Sequence, residues 1–471
     1  MTPQRNADGG SAIVPAIATA SSTAALRSLG RRGVRTVAVS EHDNPPGFAS
    51  RYCDETHRVP DPVVDVDGYE AALLRLASRA DVETVLPFRE ADVYVLARSR
   101  SAFAEHVGTP WPDLQTLRGA QDRVRLFEAA RAAGVAMPET RLLDEWDDWD
   151  ERVVVKPRYT MYAPEYDDRF DRPAPAMCTT RYVAPNEEPD RAAIVEEMGH
   201  VPLAQRYVPS GDEYAFFAQY DEGEAVATFQ HRQRRGLKYC GGPSAYRESV
   251  DIPELEAAGR RLLDELDWHG VAMVEFLRNP ETGEFELMEV NPRFWSSLPF
   301  TVQAGVDFPS LYYDQAIGVP IPTEPPYEAE IGGHLLWGEA LHLLSVVTDE
   351  YPLVERPSFA RRLGEVATSL VRSPRFDYLS ASDPGPFVRD VRNRAATVVA
   401  PLRRATSTAE PATAPEDPVP ATSDESASAD VEAAELDEEE TNTVADAGSP
   451  TQVVGDGGHD VDDTDGDRPG S

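Results

Sequence analysis

Two glutamates and an asparagine carry the first chemical signal in this chain. The apolar runs at 270–278 (GVAMVEFLR) and 284–293 (EFELMEVNPR) are joined by Asn279-Pro-Glu-Thr-Gly283, which has the composition of a β-hairpin turn. With the turn centred on Thr282, Arg278 faces Glu286, Leu277 faces Leu287 and Glu275 faces Glu289. Two carboxylates opposed on one face of a sheet sit about 5 Å apart and repel. A divalent cation between them removes the conflict, and Asn291, two residues beyond Glu289, adds a neutral oxygen on the same face. Three such donors suit a hard cation, Mg²⁺ or Mn²⁺, which usually completes its shell with phosphates and water.

The basic residues give a second signal. Of 45 cationic residues only Lys156 and Lys238 are lysine. Lys156 ends the apolar run Val153-Val-Val and precedes Pro157, and an ammonium placed there is costly unless an anion, such as a phosphate oxygen, lies near it. Arg232, Arg234, Arg235 and Lys238 crowd together ahead of Gly241-Gly242-Pro243-Ser244. They are expected to form an anion-binding edge, with Arg232 and Arg235 as candidate catalytic cations. His231 and His269 have no ligand spacing and read as structural. No Gly-Lys-Ser/Thr loop, GxSxG or HExxH occurs, which excludes P-loop kinases and the corresponding hydrolases.

Taken together, Glu275 and Glu289-x-Asn291-x-Arg293 resemble the metal and phosphate motif of the ATP-grasp superfamily, in its carboxylate-amine ligase branch. Val153-Val-Val-Lys156-Pro157 is similar to that family's strand lysine, and Gln205-Arg-Tyr207-Val208 to its adenine hinge. The resemblance implies Mg-ATP held by Glu275, Glu289 and Asn291, with Lys156 and Arg293 on the phosphates. It places Gln205, Tyr207 and Val208 on the base and Asp212 or Glu213 on the ribose. It also implies an ATP-dependent ligase that joins a small-molecule carboxylate to an amine through an acyl phosphate.

Two departures stand out. The family's Asp-Lys at the first helix is here Asp122-Arg123, which keeps the charge and makes Arg123 a nucleotide-binding candidate. The segment 158–181, expected to close over the site and exclude water, contains no glycine, which leaves Thr179, Thr180 or Arg181 as donors. A non-catalytic ATP-binding sensor, or a relative using a thiol or carbon dioxide as co-substrate, fits the same motifs. An oxidoreductase is opposed by the missing GxGxxG.

Elements of two kinds must position these residues. Apolar runs at 12–18, 34–39 and 83–88, with helical stretches at 24–29 and 69–77 and a small polar loop at 19–23, predict an open parallel α/β domain over 1–110. Helical spacing over 122–133, a strand at 152–156, and strands at 203–208, 213–219 and 225–230 with a helix at 254–266 predict a two-subdomain, mostly antiparallel α+β unit over 111–320. A helical extension over 321–404, with a closing helix at 331–347, and a disordered acidic tail over 405–471 complete the chain. The fold class is therefore α/β plus α+β, with a pre-ATP-grasp domain ahead of an ATP-grasp fold.

Composition narrows the partners. The chain has 471 residues and a formal net charge of −37, and residues 405–471 hold 19 acidic residues against Arg468 alone. Such charge repels phosphate backbones and anionic lipid, excluding a nucleic-acid coat protein or a membrane-surface binder as the main function. The acid excess and near absence of lysine suit work at very high salt, which refolding in molar KCl against dilute buffer would test. No apolar run approaches the roughly 18 to 20 residues that span a bilayer, and residues 1–11 lack an export-signal layout, so a cytoplasmic location is expected. Cys53, Cys178 and Cys240 are too few and too far apart for a disulfide framework. The two substrates and the oligomeric state are not legible here.

Overall fold

The computed structural model describes residues 9–176, 180–209, 212–321, 325–351 and 353–407. Strands β1 (Ser11–Pro15), β2 (Arg35–Ser40), β3 (Glu55–Arg58) and β4 (Val82–Val85) form a parallel sheet in the order β3-β2-β1-β4. Helices α1 (Ala20–Arg31), α2 (Val66–Ala77), α3 (Glu90–Arg98) and α4 (Arg100–Ala104) connect and cover it. The stretch 19–23 is not a loop: α1 starts at Ala20, and Ser21, Ser22 and Thr23 are buried. Their small side chains allow close packing, and the Ser22 hydroxyl donates to the Ile17 carbonyl at 3.2 Å.

Helices α5 (Leu114–Gln121) and α6 (Arg123–Ala132) lead into a four-stranded antiparallel sheet. Its strands are β5 (Thr140–Leu142), β6 (Val153–Lys156), β9 (Arg181–Val183) and β10 (Leu203–Arg206), in the order β5-β10-β6-β9. A short pair, β7 (Met161–Tyr162) and β8 (Ala174–Pro175), and helix α7 (Arg191–Met198) fill the connections. Val153, Val155, Val183 and Ala204 bury one face of this sheet against Trp146, Trp149 and Ile194. By alternation Val154, Lys156, Tyr182 and Gln205 face the other way.

A larger antiparallel sheet follows. It comprises β11 (Glu213–Asp221), β12 (Glu224–Lys238), β13 (Gly241–Ser249), β14 (Gly270–Arg278), β15 (Phe285–Asn291) and β16 (Gly332–His334), ordered β15-β14-β11-β12-β13-β16. Helix α8 (Pro253–Glu265) packs on the face carrying Tyr214, Phe216, Ala272, Val274 and Phe276. The opposite face carries Ala215, Phe217, Phe229 and Val271, which share one core with the N-terminal sheet and with helices α9 (Leu298–Ala304) and α10 (Phe308–Ala316). Phe294 stacks on Phe88 with ring centroids 5.4 Å apart, pinning the end of the hairpin to the N-terminal sheet.

The stretch 331–347 opens as strand β16 before helix α11 (Leu336–Thr348), because Gly332 and Gly333 fit against Tyr246 and Phe300 where a side chain would not. Helices α12 (Phe359–Arg372) and α13 (Gly385–Ser407) complete the described chain. Residues 405–407 thus belong to α13, and the rest of the acidic tail lies outside the described residues. Among those residues no helix is long and apolar enough to cross a membrane.

Candidate functional site

The two antiparallel sheets face each other across a cavity of about 310 Å³, lined by Lys156, Gln205, Tyr207, Val208, Glu213, Glu275, Glu289, Asn291, Arg293 and Arg123. Every candidate for the metal and the nucleotide therefore meets in one place.

The hairpin explains how. Met273 pairs with Asn291, Val274 with Val290 and Glu275 with Glu289, as the turn position requires. Nearer the turn the register slips by one, so Phe276 pairs with Leu287 and Leu277 with Glu286. The expected facing pairs Arg278 with Glu286 and Leu277 with Leu287 are therefore not formed. Met288 is the extra residue of a bulge, and a bulge flips the alternation of side chains beyond it. Leu287 and Val290 can then both enter the core while Glu289 and Asn291 share the cavity face. Strict alternation would have put Leu287 on the face of Glu289.

The two carboxylates converge. The Asn291 side-chain nitrogen donates to Glu275 at 3.2 Å and to Glu289 at 3.3 Å, bridging them. Arg123 donates to the other Glu289 oxygen at 3.0 Å and to the Pro157 carbonyl at 2.8 Å. In the protein alone, an amide and a guanidinium thus moderate the like-charge conflict. Two carboxylates with an amide that exchanges donor for acceptor on rotation form an all-oxygen set suited to a hard cation. Among the described residues no group of three or more His, Cys, Asp and Glu gathers as an alternative centre.

Lys156, at the end of β6, is buried with its ammonium 5.5 Å from the Phe127 ring centroid, and no carboxylate of the described residues lies within ion-pair distance. Burial, reinforced by Arg123 and opposed by Glu289, pulls its pKa down to about 7. Across the cavity, burial pushes Glu213 up to about 7, against a side-chain hydrogen bond from Gln233. Gln205 donates to Thr140 at 2.8 Å, and the Tyr207 amide donates to the Arg152 carbonyl at 3.0 Å, so that amide is already committed within the sheet. Tyr207 instead presents its ring, edge to face with Tyr182. Asp212 pairs with Arg232, which leaves Glu213 as the carboxylate of the two that lines the cavity.

The arginine cluster goes elsewhere. It lies within strand β12, and each of its three arginines has a carboxylate. Arg232 binds Asp212 at 2.5 Å and lies over the Tyr214 ring, on the face away from the cavity. Arg234 binds Glu248 at 3.1 Å. The pairing of β12 with β13 skips Arg234, and the resulting bulge turns Arg235 toward α11 and α12, where it meets Glu339 of the first at 2.7 Å and Ser369 of the second at 2.6 Å. Lys238 lies over the Tyr351 ring. The expected anion-binding edge is not formed, and neither Arg232 nor Arg235 is brought to the cavity.

The glycine-free segment is not a loose flap over its described part. Arg158 forms a double hydrogen bond with Asp122, at 2.8 and 2.7 Å. Tyr159, Met161, Ala163 and Tyr166 are buried in the core. Arg181 pairs with Glu197 and Thr180 lines the cavity, while Thr179 lies outside the described residues. Among the described residues the glycines that reach the cavity are Gly241 and Gly242, with φ of +129° and +86°, at the start of β13 just after its tight turn from β12.

One residue had not been singled out. Glu90, at the start of α3, accepts from Arg293 Nε at 3.0 Å and from Gln121 at 2.6 Å. Gln121 in turn accepts from the Tyr166 hydroxyl at 2.7 Å. Arg293 also donates to Asn291 at 3.2 Å, so helix α3 of the N-terminal domain is tied to the hairpin through one guanidinium. Burial raises the Glu90 pKa, opposed chiefly by Arg293. The available signal was its place just past the carboxyl end of a parallel strand, where such sheets present ligand-facing residues.

This architecture, a parallel α/β domain followed by two antiparallel sheets enclosing a cavity, is the ATP-grasp fold with a pre-ATP-grasp domain. Among solved structures, N5-carboxyaminoimidazole synthetase from Staphylococcus aureus superposes with a TM-score of 0.53 at 14% identity, covering 78% of this chain and 99% of that one. The biotin carboxylase domain of Hydrogenobacter thermophilus 2-oxoglutarate carboxylase, solved with Mg-ADP and bicarbonate, gives 0.52 at 15% identity, covering 69% and 74%. In sequence, acetyl-CoA carboxylase 1 of Oryza sativa subsp. japonica is 33% identical over 182 residues, which is 36% of this chain and 8% of the relative. The chain thus spans less than a tenth of the length of that relative. No family model matches the chain.

Proposed function

We propose that this chain is an ATP-dependent ligase, ADP-forming, that joins a small-molecule carboxylate to an amine through an acyl phosphate. The observation that carries the reading is the meeting, in one cavity, of the opposed pair Glu275 and Glu289 with Asn291, Arg293 and the buried ammonium of Lys156. The Mg-ADP bound by a structural neighbour, the biotin carboxylase domain of 2-oxoglutarate carboxylase, supports it.

Glu275, Glu289 and Asn291 would hold Mg²⁺, which when bound offsets phosphate charge and polarises the γ-phosphoryl group. Gln205, Tyr207 and Val208 would line the base, and Glu213 would accept from the ribose. Lys156 and Arg293 would balance the charge that develops as the carboxylate oxygen attacks the γ-phosphorus and ADP departs. Arg123 neutralises one oxygen of Glu289. An amine lone pair then attacks the acyl carbon, the bond from that carbon to the phosphate oxygen breaks, and inorganic phosphate leaves with the proton that the amine nitrogen loses. Positioning and electrostatics suffice, with no side-chain nucleophile.

The test is ADP release by the full chain with Mg-ATP and pooled carboxylates, using hydroxylamine to capture an acyl phosphate as its hydroxamate. Release that requires a carboxylate and yields hydroxamate supports the proposal. Release indifferent to carboxylates, or nucleotide binding indifferent to Mg²⁺, overturns it. The carboxylase names of the relatives favour a second reading, in which bicarbonate is the carboxylate. Labelled bicarbonate in the same assay separates the two.

A further inference from the structure

Beyond the carboxylates the cavity has a second end. Strand registers place Glu289, Glu275, Ala215 and His231 in one row across β15, β14, β11 and β12. With strands about 4.8 Å apart, His231 sits about 10 Å from Glu275, separated by the methyl group of Ala215. The neighbouring row holds Met273 and Phe217, and the Phe217 ring lies 4.8 Å from His231 and 4.5 Å from Trp295 between centroids.

This aromatic end contains unmet hydrogen-bonding groups. Trp295 is 0% exposed and His231 5%, yet neither Trp295 Nε1 nor His231 Nδ1 has a partner among the described residues. The Ser244 hydroxyl is also unpartnered, but it pairs across from Gly236 at the Glu213 end of the lining rather than at this one. Buried groups of this kind are rare and costly unless a ligand or water completes them. The carboxylates of the lining, Glu213, Glu275 and Glu289, sit on β11, β14 and β15, while the β12 side offers His231 and Gln233. Burial and the nearby Arg247 hold the His231 pKa down at about 3, so its imidazole is neutral. The Arg247 guanidinium is paired with Asp377. A second anionic or cationic group would therefore find no unmet counter-ion here.

We propose that this end is the subsite for the body of the carboxylate substrate and selects a neutral aromatic or apolar body carrying a hydrogen-bond acceptor for Trp295 Nε1. The inference rests on the ligase reading, and it excludes dicarboxylates and bicarbonate as preferred acids.

The experiment compares phenoxyacetate, succinate and bicarbonate in the hydroxamate assay with the full chain. Phenoxyacetate is expected to exceed both in kcat/KM by about tenfold or more. Trp295→Phe, which removes the N–H and keeps a ring, is expected to raise the phenoxyacetate KM about tenfold while kcat changes little. His231→Phe, which keeps a ring at the same end and removes Nδ1, is expected to raise KM about threefold and serves if the first variant does not fold. Preference for succinate or bicarbonate, or an unchanged KM in the folded variants, overturns the subsite. Should no acid support turnover, the ligase reading fails. Calorimetric titration of phenoxyacetate with Mg²⁺ and a non-hydrolysable ATP analogue then decides the subsite separately: binding weakened in the variants supports it, and no binding overturns it.

Discussion

The hairpin β14–β15 and the arginine-rich half of β12 look alike in sequence, each a strand crowded with charge, yet the fold treats them oppositely. In β12 each arginine meets a carboxylate, Asp212, Glu248 or Glu339, and the charge is spent on holding elements together. On the hairpin two carboxylates face one another, with Glu289 held by Arg123 at 3.0 Å, and the nearby ammonium of Lys156 is buried with no carboxylate of the described residues in ion-pair range. Charge faces the cavity where carboxylates are brought together or a cation is buried away from them, not where it is densest. In a chain with 82 acidic and 45 basic residues, an arginine cluster is more readily absorbed by structure than an acidic pair is.

The comparison breaks or sharpens in a definite order. Glu289→Gln is expected to lower turnover about 10³-fold by weakening cation binding and leaving Glu275 without its opposed charge, with the fold retained. ADP release and a melting curve check it, and near-normal rates would remove the hairpin from the site.

Arg235→Met is expected to do the reverse. Breaking a buried pair costs about 3 kcal/mol of stability, while the folded fraction keeps its turnover. Denaturant unfolding alongside kcat reads both quantities, and a kcat collapse at full stability would return Arg235 to the chemistry.

Glu90→Gln is expected to be milder, with kcat down about tenfold and nucleotide affinity nearly unchanged, because Arg293 loses its orienting charge. Glu90→Asp should recover part of the loss. Equal losses in stability and none in kcat would make the link purely structural.

The gentlest effect concerns pH. Lys156 falls to about 7 when folded, against the ordinary lysine value of 10.5, so the unfolded chain binds more protons between these values and stability rises with pH across that window. The penalty of the buried ammonium is fully present below about pH 7. With lysine labelled at Cε, the spectrum holds only two side-chain signals, and one is expected to titrate near neutrality and move upward when Mg-ATP binds. Two signals titrating near 10 in the nucleotide-free protein would contradict the burial argument.

Much of the site was legible because it is local. Two-residue alternation put Asn291 on the face of Glu289, the turn composition opposed Glu275 to Glu289, and the apolar run before Lys156 marked a buried cation. The α/β rhythm of the first hundred residues and the antiparallel strands after residue 200 were readable from the same periodicities. Misreadings arose where one inserted residue changes everything downstream. The bulge at Met288 shifted the turn-proximal pairs, and the one at Arg234 turned Arg235 away from the cavity. Neither has a signature in an apolar or basic run.

The amino-acid order alone thus determined which strands form, which way their side chains alternate, and that a carboxylate pair and a lysine in covered strands require compensation. Tertiary structure decided who supplies it: Glu339 reaches Arg235 from 104 positions away, and Glu90 reaches Arg293 from 203. The division is physical. Alternation and turn geometry follow from covalent neighbours, whereas the partner of a buried charge depends on which distant element the core brings alongside, and many sequences far apart in the chain could have served.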